Sequence, residues 1–515
     1  MKTLPRSLPS PAPETAAQAR RGRPAASRGR RLAACGLVAA VLAGCTLGPD
    51  YARPPVDAPA AYRFEPKDAA AVANAEWWKQ FGDPVLDALI VEALANNRNV
   101  RIAAANVEQA AGLLTQTRSQ LFPQLGYSGT GQRARTTEAG LAPEAASRIP
   151  NPDSAYQAVL AASWEIDLWG RIRRLTEASR ANLLATDEAR RGVILTLVAS
   201  VASGYVQLRG LDEQLATAQR TAGIYLESVK LFELQFRYGQ VSQMNVAQAQ
   251  SQYETALAQI PLIENQIAQT ENALSILLAR NPGPIARGKP IGELAVPPIP
   301  AGLPSQLLLQ RPDLLQSEQQ LVAANAQIGA AQALYFPAIT LTGALGTASA
   351  DLSKLFSGPA RTWNYAGQIA GPLFAAGAIG GQVAQAEAAQ QAAILAYQQA
   401  VQSAFADVDN ALVATQKQKE QLAAQQRLVD ALATYARLAR LQFNGGYTSY
   451  STVLQAEQAL FPAELNLAVI RASVLASSVA VYKAMGGGWV VAADAMTGDR
   501  VAPPAERGTG LPPLL

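Results

Sequence analysis

Residues Val246–Leu277, VAQAQSQYETALAQIPLIENQIAQTENALSIL, decide the fold, because their pattern of apolar residues occurs twice in the chain. Apolar or small residues recur every seven positions in two series, which start at Val246 and Ala249. The same two series start again, with an identical offset, at Val453 and Ala456. A strict heptad repeat is typical of helices that wrap around each other with a left-handed supercoil. The shared phase favours an internal duplication over the alternative of two unrelated bundle helices.

Other features recur at similar distances. Phe122-Pro123 in the first half is matched by Phe336-Pro337 in the second. A proline-free helical pattern covers residues 171–237 and returns at about 377–443. A helix of 67 residues would be about 100 Å long at ~1.5 Å per residue, longer than a single globular domain. The sequence therefore predicts two long helices, each followed by a reversal and a heptad helix.

Four segments alternate with a period of two, the spacing of a β-strand with one apolar and one polar face. They cover about residues 124–133, 155–168, 338–347 and 362–373. Strands of this length and pattern suit a lipid bilayer if the sheet closes into a barrel. Four strands cannot close one, because the smallest barrels have about eight. We therefore expect oligomerisation; the alternative is that these are edge strands of a soluble sheet.

The predicted organisation is a repeat of helix, strand, strand, long helix and heptad helix. Asp83 caps a first helix whose apolar periodicity continues through Leu121. Trp77, Trp78 and Phe81 read as packing residues rather than ligands. The predicted segments are a signal peptide at 1–44, an extended strap at 45–82, a first repeat at 83–280, a linker at 281–310, a second repeat at 311–490 and a disordered tail at 491–515.

The N-terminal segment is typical of an exported bacterial lipoprotein. A basic region is followed by a 13-residue apolar run that ends at Gly44, and Leu42-Ala43-Gly44-Cys45 resembles a lipobox. We expect cleavage before Cys45 and lipidation of its thiol, the alternative being an ordinary signal with a chance cysteine. Residues 1–44 hold eight of the 43 basic and one of the 39 acidic residues. The rest of the chain therefore has 35 basic and 38 acidic residues and a net charge of −3.

The composition argues against several functions. The basic excess lies in the signal, so we expect no nucleic-acid partner. The chain has no histidine, and its only cysteine besides Cys45 is Cys35, inside the signal. The commonest general base and metal ligand is thus absent, and the sequence contains no nucleotide-binding loop. We expect no enzyme activity, no cofactor and no metal site.

The chain resembles the TolC-type outer-membrane efflux channels, in the OprM/NodT-like lipoprotein branch of efflux systems of the resistance-nodulation-division (RND) type. The resemblance rests on several stretches whose order and spacing together cover nearly the whole mature chain. These are residues 45–51 (CTLGPDY), 77–84 (WWKQFGDP), 311–313 (RPD), 323–329 (AANAQIG), the two Phe-Pro pairs and 486–489 (GGGW).

This resemblance implies a mainly α protein that forms a homotrimer. A twelve-stranded β-barrel would lie in the outer membrane, above a periplasmic tunnel of coiled-coil helices. The channel would passively conduct drugs or other small toxic compounds. Its partners would be outer-membrane lipid, a periplasmic membrane-fusion adaptor and an inner-membrane RND transporter. The alternatives are a type I protein-secretion channel, a metal-efflux channel, and a lipid-anchored periplasmic scaffold without a pore.

In this family the periplasmic ends of the coiled coils close the channel and bind the adaptor. By motif, these ends map to Tyr238–Val246 and Asn444–Gln458. Related channels often carry an Asp, and an Arg three residues on, where this chain has Gln455 and Gln458, and an Asp where it has Asn245. Amides cannot form ion pairs, so we expect a closed state that depends less on charge. The expected aperture residues are Gly239, Ser242, Asn245, Gly446, Ser449, Gln455 and Gln458.

Overall fold

Two helices of 67 residues set the length of the molecule, about 100 Å at ~1.5 Å per residue. The computed structural model describes residues 46–64, 76–135, 137, 139, 151–299 and 308–498. The main elements are α1 (Pro84–Asn96), α2 (Arg98–Ser119), β1 (Gln124–Ala134), β2 (Asp153–Ile166), α3 (Arg171–Arg237), α4 (Gln243–Leu277), α5 (Pro312–Gln332), β3 (Ala338–Ser349), β4 (Arg361–Ala370), α6 (Ala378–Asn444), α7 (Tyr450–Met485) and α8 (Trp489–Asp494). This order confirms the predicted duplication, in which α3 and α6 are the long helices.

The heptad positions form the contact between the helices. In α7, the two heptad series that start at Val453 and Ala456 contain ten residues. Nine of them are buried, and the tenth, Leu460, is half-buried. In α4, the small residues Ala249 and Ala256 are buried together with Ile263. The surrounding clusters join α4 and α7 to the long helices, with Phe232 of α3 and Phe461 of α7 among their members. Burial of these apolar side chains is the main term that holds the four helices together.

An aromatic core lies where the second repeat ends and the first begins. Trp77, Trp78 and Phe81 form a short 3₁₀ helix and are fully buried. The ring of Trp77 stacks on Tyr482 of α7 at 5.2 Å between centroids and meets Trp489 edge-on at 5.8 Å. These aromatic side chains therefore serve packing between the two ends of the chain.

The apolar periodicity predicts a first helix that continues through Leu121, but in the structure this helix is interrupted. It breaks at Asn97, which is buried and separates α1 from α2. The Asn97 side-chain oxygen accepts from the backbone N–H groups of Asn99 at 2.8 Å and Val100 at 3.2 Å. Its amide donates to the carbonyl of Leu277, the last residue of α4, at 2.8 Å. Asn97 thus caps one helix end and satisfies another.

The four strands form one antiparallel sheet in the order β1-β2-β3-β4. Directly opposed residues place apolar side chains on one face along the rows Tyr127–Leu160–Leu345–Trp363 and Leu125–Ala162–Gly343–Tyr365. The other face carries mainly polar and small side chains, for example Gln124, Ser163, Thr342 and Ala366 in one row. Within the described residues, β1 and β4 each pair on one side only.

The strand ends differ from the predicted ones by at most three positions. The second strand ends at Ile166 rather than 168, because the Asp167 carboxylate accepts from the backbone N–H groups of Ile172 at 3.0 Å and Arg173 at 2.9 Å and so caps α3. The fourth ends at Ala370 rather than 373, and its outer edge has no partner strand among the described residues.

The prediction of a disordered tail from residue 491 is wrong for residues 491–498. Helix α8 continues to Asp494, and Ala493 is fully buried in the aromatic core. The Asp494 carboxylate accepts a hydrogen bond from Arg190 of α3 at 2.7 Å. Residues 499–515 lie outside the described residues, as do the signal peptide, Cys45 and residues 300–307 of the predicted linker.

Two helices, α3 and α7, are long and apolar enough to cross a membrane when judged by length and composition alone. In each, 56% of the most apolar stretch is buried against other helices of the chain. Their apolar character is therefore explained by the coiled-coil contacts and the aromatic core.

Candidate functional site: the hairpin tips and the N-terminal strap

Each long helix ends in the same backbone motif, at the end remote from the sheet. Gly239 and Gly446 adopt the left-handed conformation, with φ of 70° and 75°. In each turn two backbone N–H groups return to the end of the long helix in the paired pattern of a Schellman motif. The bonds are Gly239 to Phe236, Gln240 to Gln235, Gly446 to Phe443 and Tyr447 to Gln442, all at 2.9 Å. Two equivalent reversals, one in each repeat, thus turn both hairpins.

The predicted aperture residues divide into two groups. Ser242 and Ser449 are the N-cap residues of α4 and α7. The Ser242 hydroxyl lies 3.3 Å from Asn245 Oδ1, which brings these two predicted residues together in the first tip. Gln455 and Gln458 lie further along α7, one turn apart, and both are exposed. Their neutral amides therefore present one uncharged surface on that helix.

An aromatic contact joins the two hairpins just behind the tips. The ring centroid of Tyr450 of α7 lies 4.3 Å from the ring centroid of Phe232 of α3 and 5.6 Å from that of Phe443 of α6. Phe232 and Tyr450 are buried. The heptad pattern did not single out this contact. The sequence does contain a signal for this contact, namely a difference between the two repeats. The residue of α6 that corresponds to Phe232 is the small, buried Ala439.

A buried acidic residue was also missed, and it lies between the two glutamines. Glu457 is 8% exposed, and Arg440 of α6 donates to its carboxylate at 2.6 Å. Arg440 also lies 3.4 Å from the Ser228 hydroxyl of α3, and Tyr225 of α3 donates to the Glu457 carbonyl at 3.3 Å. Burial raises the pKa of the Glu457 carboxyl above its usual value, and Arg440 partly opposes this shift. Charge at this level of α7 therefore points into the helix packing and ties α3, α6 and α7 together.

The N-terminal strap is fixed at the opposite end, where the sheet meets the helices. Thr46 packs directly against Gly170, which precedes α3. The Leu47 carbonyl accepts from Arg174 Nε at 3.0 Å, and the Asp50 carboxylate accepts from the same guanidinium at 2.7 Å. Cys45 lies outside the described residues, but its neighbour Thr46 lies beside Gly170, between the end of β2 and the start of α3.

Comparison with known proteins agrees with this geometry. The family model described as "Outer membrane efflux protein" matches residues 89–280 and 303–487, most of the chain and both repeats. The chain belongs to the outer membrane efflux protein family.

Among curated members of the family, the solvent efflux pump outer membrane protein SrpC of Pseudomonas putida is 39% identical over 459 residues, which are 88% of this chain and 97% of SrpC. The cation efflux system protein CusC of Escherichia coli is 36% identical over 88% of this chain and 97% of its own length. The crystal structure of CusC superposes with a TM-score of 0.77 at 34% identity, covering 86% of this chain and 100% of CusC. The open state of the MtrE outer membrane channel of Neisseria gonorrhoeae superposes with the same TM-score at 33% identity. The match covers 86% of this chain and 99% of the MtrE chain.

Family membership confirms the predicted architecture, a helical body joined to a β domain, and places the chain in the outer membrane. It also identifies the chain as an efflux channel protein of a non-enzymatic family.

We predict that Gly446→Ala weakens the second tip. The substitution forces Cβ into a left-handed backbone conformation, which costs about 1–2 kcal/mol, although there is open space around the glycine. Gly223→Ala in the middle of α3 is the matched control, since it also has open space but lacks a positive φ; it should stabilise by about 0.5–1 kcal/mol. Hydrogen exchange of peptides spanning each site should become faster for Gly446→Ala and not for Gly223→Ala. Equal responses would contradict the Schellman assignment.

Proposed function

We propose that this chain is the outer-membrane exit duct of a tripartite RND-type efflux pump and passively conducts drugs or other small toxic compounds to the exterior. The observation that carries the proposal is the sheet with segregated faces and two unpaired edges, joined directly to helices about 100 Å long. A sheet of this kind can serve as one section of a barrel with lipid outside and water inside. The attached helices can extend that passage across the periplasm.

Three copies would make the duct. Four strands cannot close, whereas three chains supply twelve. The two long helices also differ in burial, since 29 of the 67 residues of α3 are buried and only ten of the 67 residues of α6 are. The repeat makes α6 equivalent to α3, so its exposed surface is a surface that neighbouring copies would cover. The solved relatives include CusC, whose structures concern transmembrane channel formation, and the MtrE outer membrane channel.

The partners follow from the two ends of the molecule. The tips, with Gly239, Ser242 and Asn245 in one turn and Gly446 and Ser449 in the other, would dock a periplasmic adaptor. That adaptor would connect the duct to an inner-membrane RND transporter, which would supply the energy from the proton gradient. Support comes from the relatives' names, which describe SrpC as part of a solvent efflux pump and CusC as part of a cation efflux system.

A small organic substrate is favoured over a metal ion. The chain has no histidine and four methionines, so it offers few soft ligands along a passage. Among the described residues, no group of three or more His, Cys, Asp or Glu side chains could hold a metal ion. Protein secretion through a type I system and a scaffold without a pore are the remaining alternatives, and a current across planar bilayers would exclude the scaffold.

Cys45 would carry the lipid anchor. Thr46, the residue that follows Cys45, is held beside Gly170, where the sheet meets the helices. A relative that is 36% identical over 87% of this chain, SilC of Salmonella typhimurium, is named a probable outer membrane lipoprotein. Acyl chains add about 0.8 kcal/mol per buried CH₂ to membrane binding.

Arginine placed on opposite faces of one strand should test for a pore. Leu345→Arg puts a charge on the apolar face, where it should cost about 2–4 kcal/mol near the bilayer centre and reduce assembly. Ala344→Arg puts the same charge on the polar face and should still assemble but conduct fewer cations. Heat-resistant trimer migration and single-channel current in planar bilayers are the measurements. A scaffold would give no current from the unaltered protein, and the two variants would behave alike.

The uncharged side chains of Gln455 and Gln458 should make gating insensitive to screening by salt. Conductance of the unaltered channel should rise with KCl in proportion to bulk conductivity, because Gln455 and Gln458 form no ion pairs that salt could weaken. The double variant Gln455→Asp with Gln458→Arg should conduct less at low salt and recover at high salt. Bilayer recordings across a salt series provide the comparison. A conductance of the unaltered channel that climbs more steeply than bulk conductivity would contradict this account.

Lipidation can be followed by labelling cells with palmitate. Cys45→Ser should abolish incorporation into this protein, since the hydroxyl cannot replace the thiol as acceptor. The matched control is Cys35→Ser, which lies in the predicted signal and should leave the label unchanged. Label that persists in Cys45→Ser would refute the assignment.

A further inference from the structure

The outer edges of β1 and β4 have no partner strand within the described parts of the chain, and they offer a surface for a second copy of this chain. We propose that β4 of one copy pairs with β1 of the next in the register that β2 and β3 adopt within a chain, so that Ile369 lies opposite Gly129 of the neighbouring copy. This inference rests on the proposed trimeric channel and adds the specific residue pairing between its subunits.

The internal repeat supplies the template. Phe336-Pro337 precedes β3 as Phe122-Pro123 precedes β1. The strands start at Ala338 and Gln124, so the Phe-Pro pairs and the strand starts are related by the same shift in residue number, the one that takes 124 to 338. Gly377 precedes α6 as Gly170 precedes α3, both with positive φ, and this second shift, from 170 to 377, is slightly smaller. The strand before each long helix should share the second shift, which relates β2 to β4.

The observed ladders agree with these two shifts. In the first hairpin Gln124 is opposite Ser163, and in the second Ala338 is opposite Ala370. The first shift carries Gln124 to Ala338, and the second carries Ser163 to Ala370. The two hairpins are therefore equivalent residue by residue, and the β2–β3 contact is the seam that joins one such hairpin to the next.

Between subunits, the corresponding seam joins β4 to β1 of the next copy. Ala162 is opposite Gly343 in the chain, and Ala161 is opposite Ala344. Applying the shifts to the first pair gives Ile369 opposite Gly129, and applying them to the second gives Gln368 opposite Thr130. The pair Trp164 and Leu341 gives Gly371 opposite Tyr127.

The side chains that this register brings opposite each other are compatible in size and polarity. Ile369 and Tyr127, which are 71% and 92% exposed in the single chain, each fall opposite a glycine, at 129 and 371. The apolar faces of the two edges stay on the same side of the sheet. A slip of one residue would turn every side chain of one strand to the wrong face. The seam also continues β4 past Ala370 to Gly371, towards the end at 373 that the alternation predicts.

Cysteine cross-linking tests the register directly, because the chain contains only Cys35 in the predicted signal and the acylated Cys45. The full-length double variants are Ile369→Cys with Gly129→Cys and Gln368→Cys with Thr130→Cys. Neighbouring positions in an antiparallel ladder alternate between Cα separations of about 5.5 and 4.5 Å, and both fit a disulfide. Oxidation followed by non-reducing gel electrophoresis should give covalent dimers and trimers for at least one pair.

Matched controls shift the register by two positions in either direction. They are Ile369→Cys combined with Tyr127→Cys and Ile369→Cys combined with Gly131→Cys. Their separation would be roughly 7–8 Å across the diagonal, beyond normal disulfide geometry, so they should give roughly tenfold less product. Each single-cysteine variant should keep its heat-resistant migration. The Gln368–Thr130 pair carries the test if a substitution on the apolar face impairs assembly.

The outcomes separate the register from the proposed function. Stable, conducting trimers that cross-link through a shifted pair, or through none of the pairs, would overturn the register and leave the channel intact. Absence of both trimers and current from the unaltered protein would overturn the channel and this inference together.

Discussion

Every backbone group in a lipid bilayer needs a hydrogen-bonding partner, and the part of the chain that the structure describes leaves two strand edges without one. Each unsatisfied N–H or C=O in hydrocarbon costs several kcal/mol, so an isolated four-stranded sheet cannot remain in the membrane. The ladder β1-β2-β3-β4 is therefore a fragment of a closed wall. The oligomer, the direction of the helices away from the membrane and the passage between them all depend on this requirement.

The duplication gives the molecule two versions of one unit, and the differences between them carry information. Both long helices have 67 residues and end in the same Schellman turn, yet α3 is packed on many sides and α6 is largely exposed. At the tips, Phe232 on α3 is matched by Ala439 on α6, and Tyr450 of α7 occupies the space between the hairpins. A large residue in one repeat and a small one in the other allow two similar hairpins to pack against each other.

Local signals in the sequence were sufficient for the repeated parts of the fold. The heptad spacing from Val246, the Phe-Pro pairs and the alternation with a period of two placed helices and strands to within a few positions of their observed ends. The break at Asn97 was missed because apolar periodicity continues across it, although the Asn96-Asn97-Arg98-Asn99 run contained a capping signal. The buried Glu457 was missed because its burial depends on α3 and α6, which the sequence of α7 does not reveal.

The strap links parts of the chain that are synthesised far apart in time. Asn325 of α5 donates to the Pro49 carbonyl at 2.9 Å, and Tyr51 and Arg53 bind Glu318 of the same helix. Pro49, Tyr51 and Arg53 therefore have no partners in α5 until most of the polypeptide has been exported, whereas Leu47 and Asp50 can already bind Arg174 of the first repeat. Complete seating of the strap must follow formation of the second repeat, so a segment that leaves the ribosome early acquires its last contacts late.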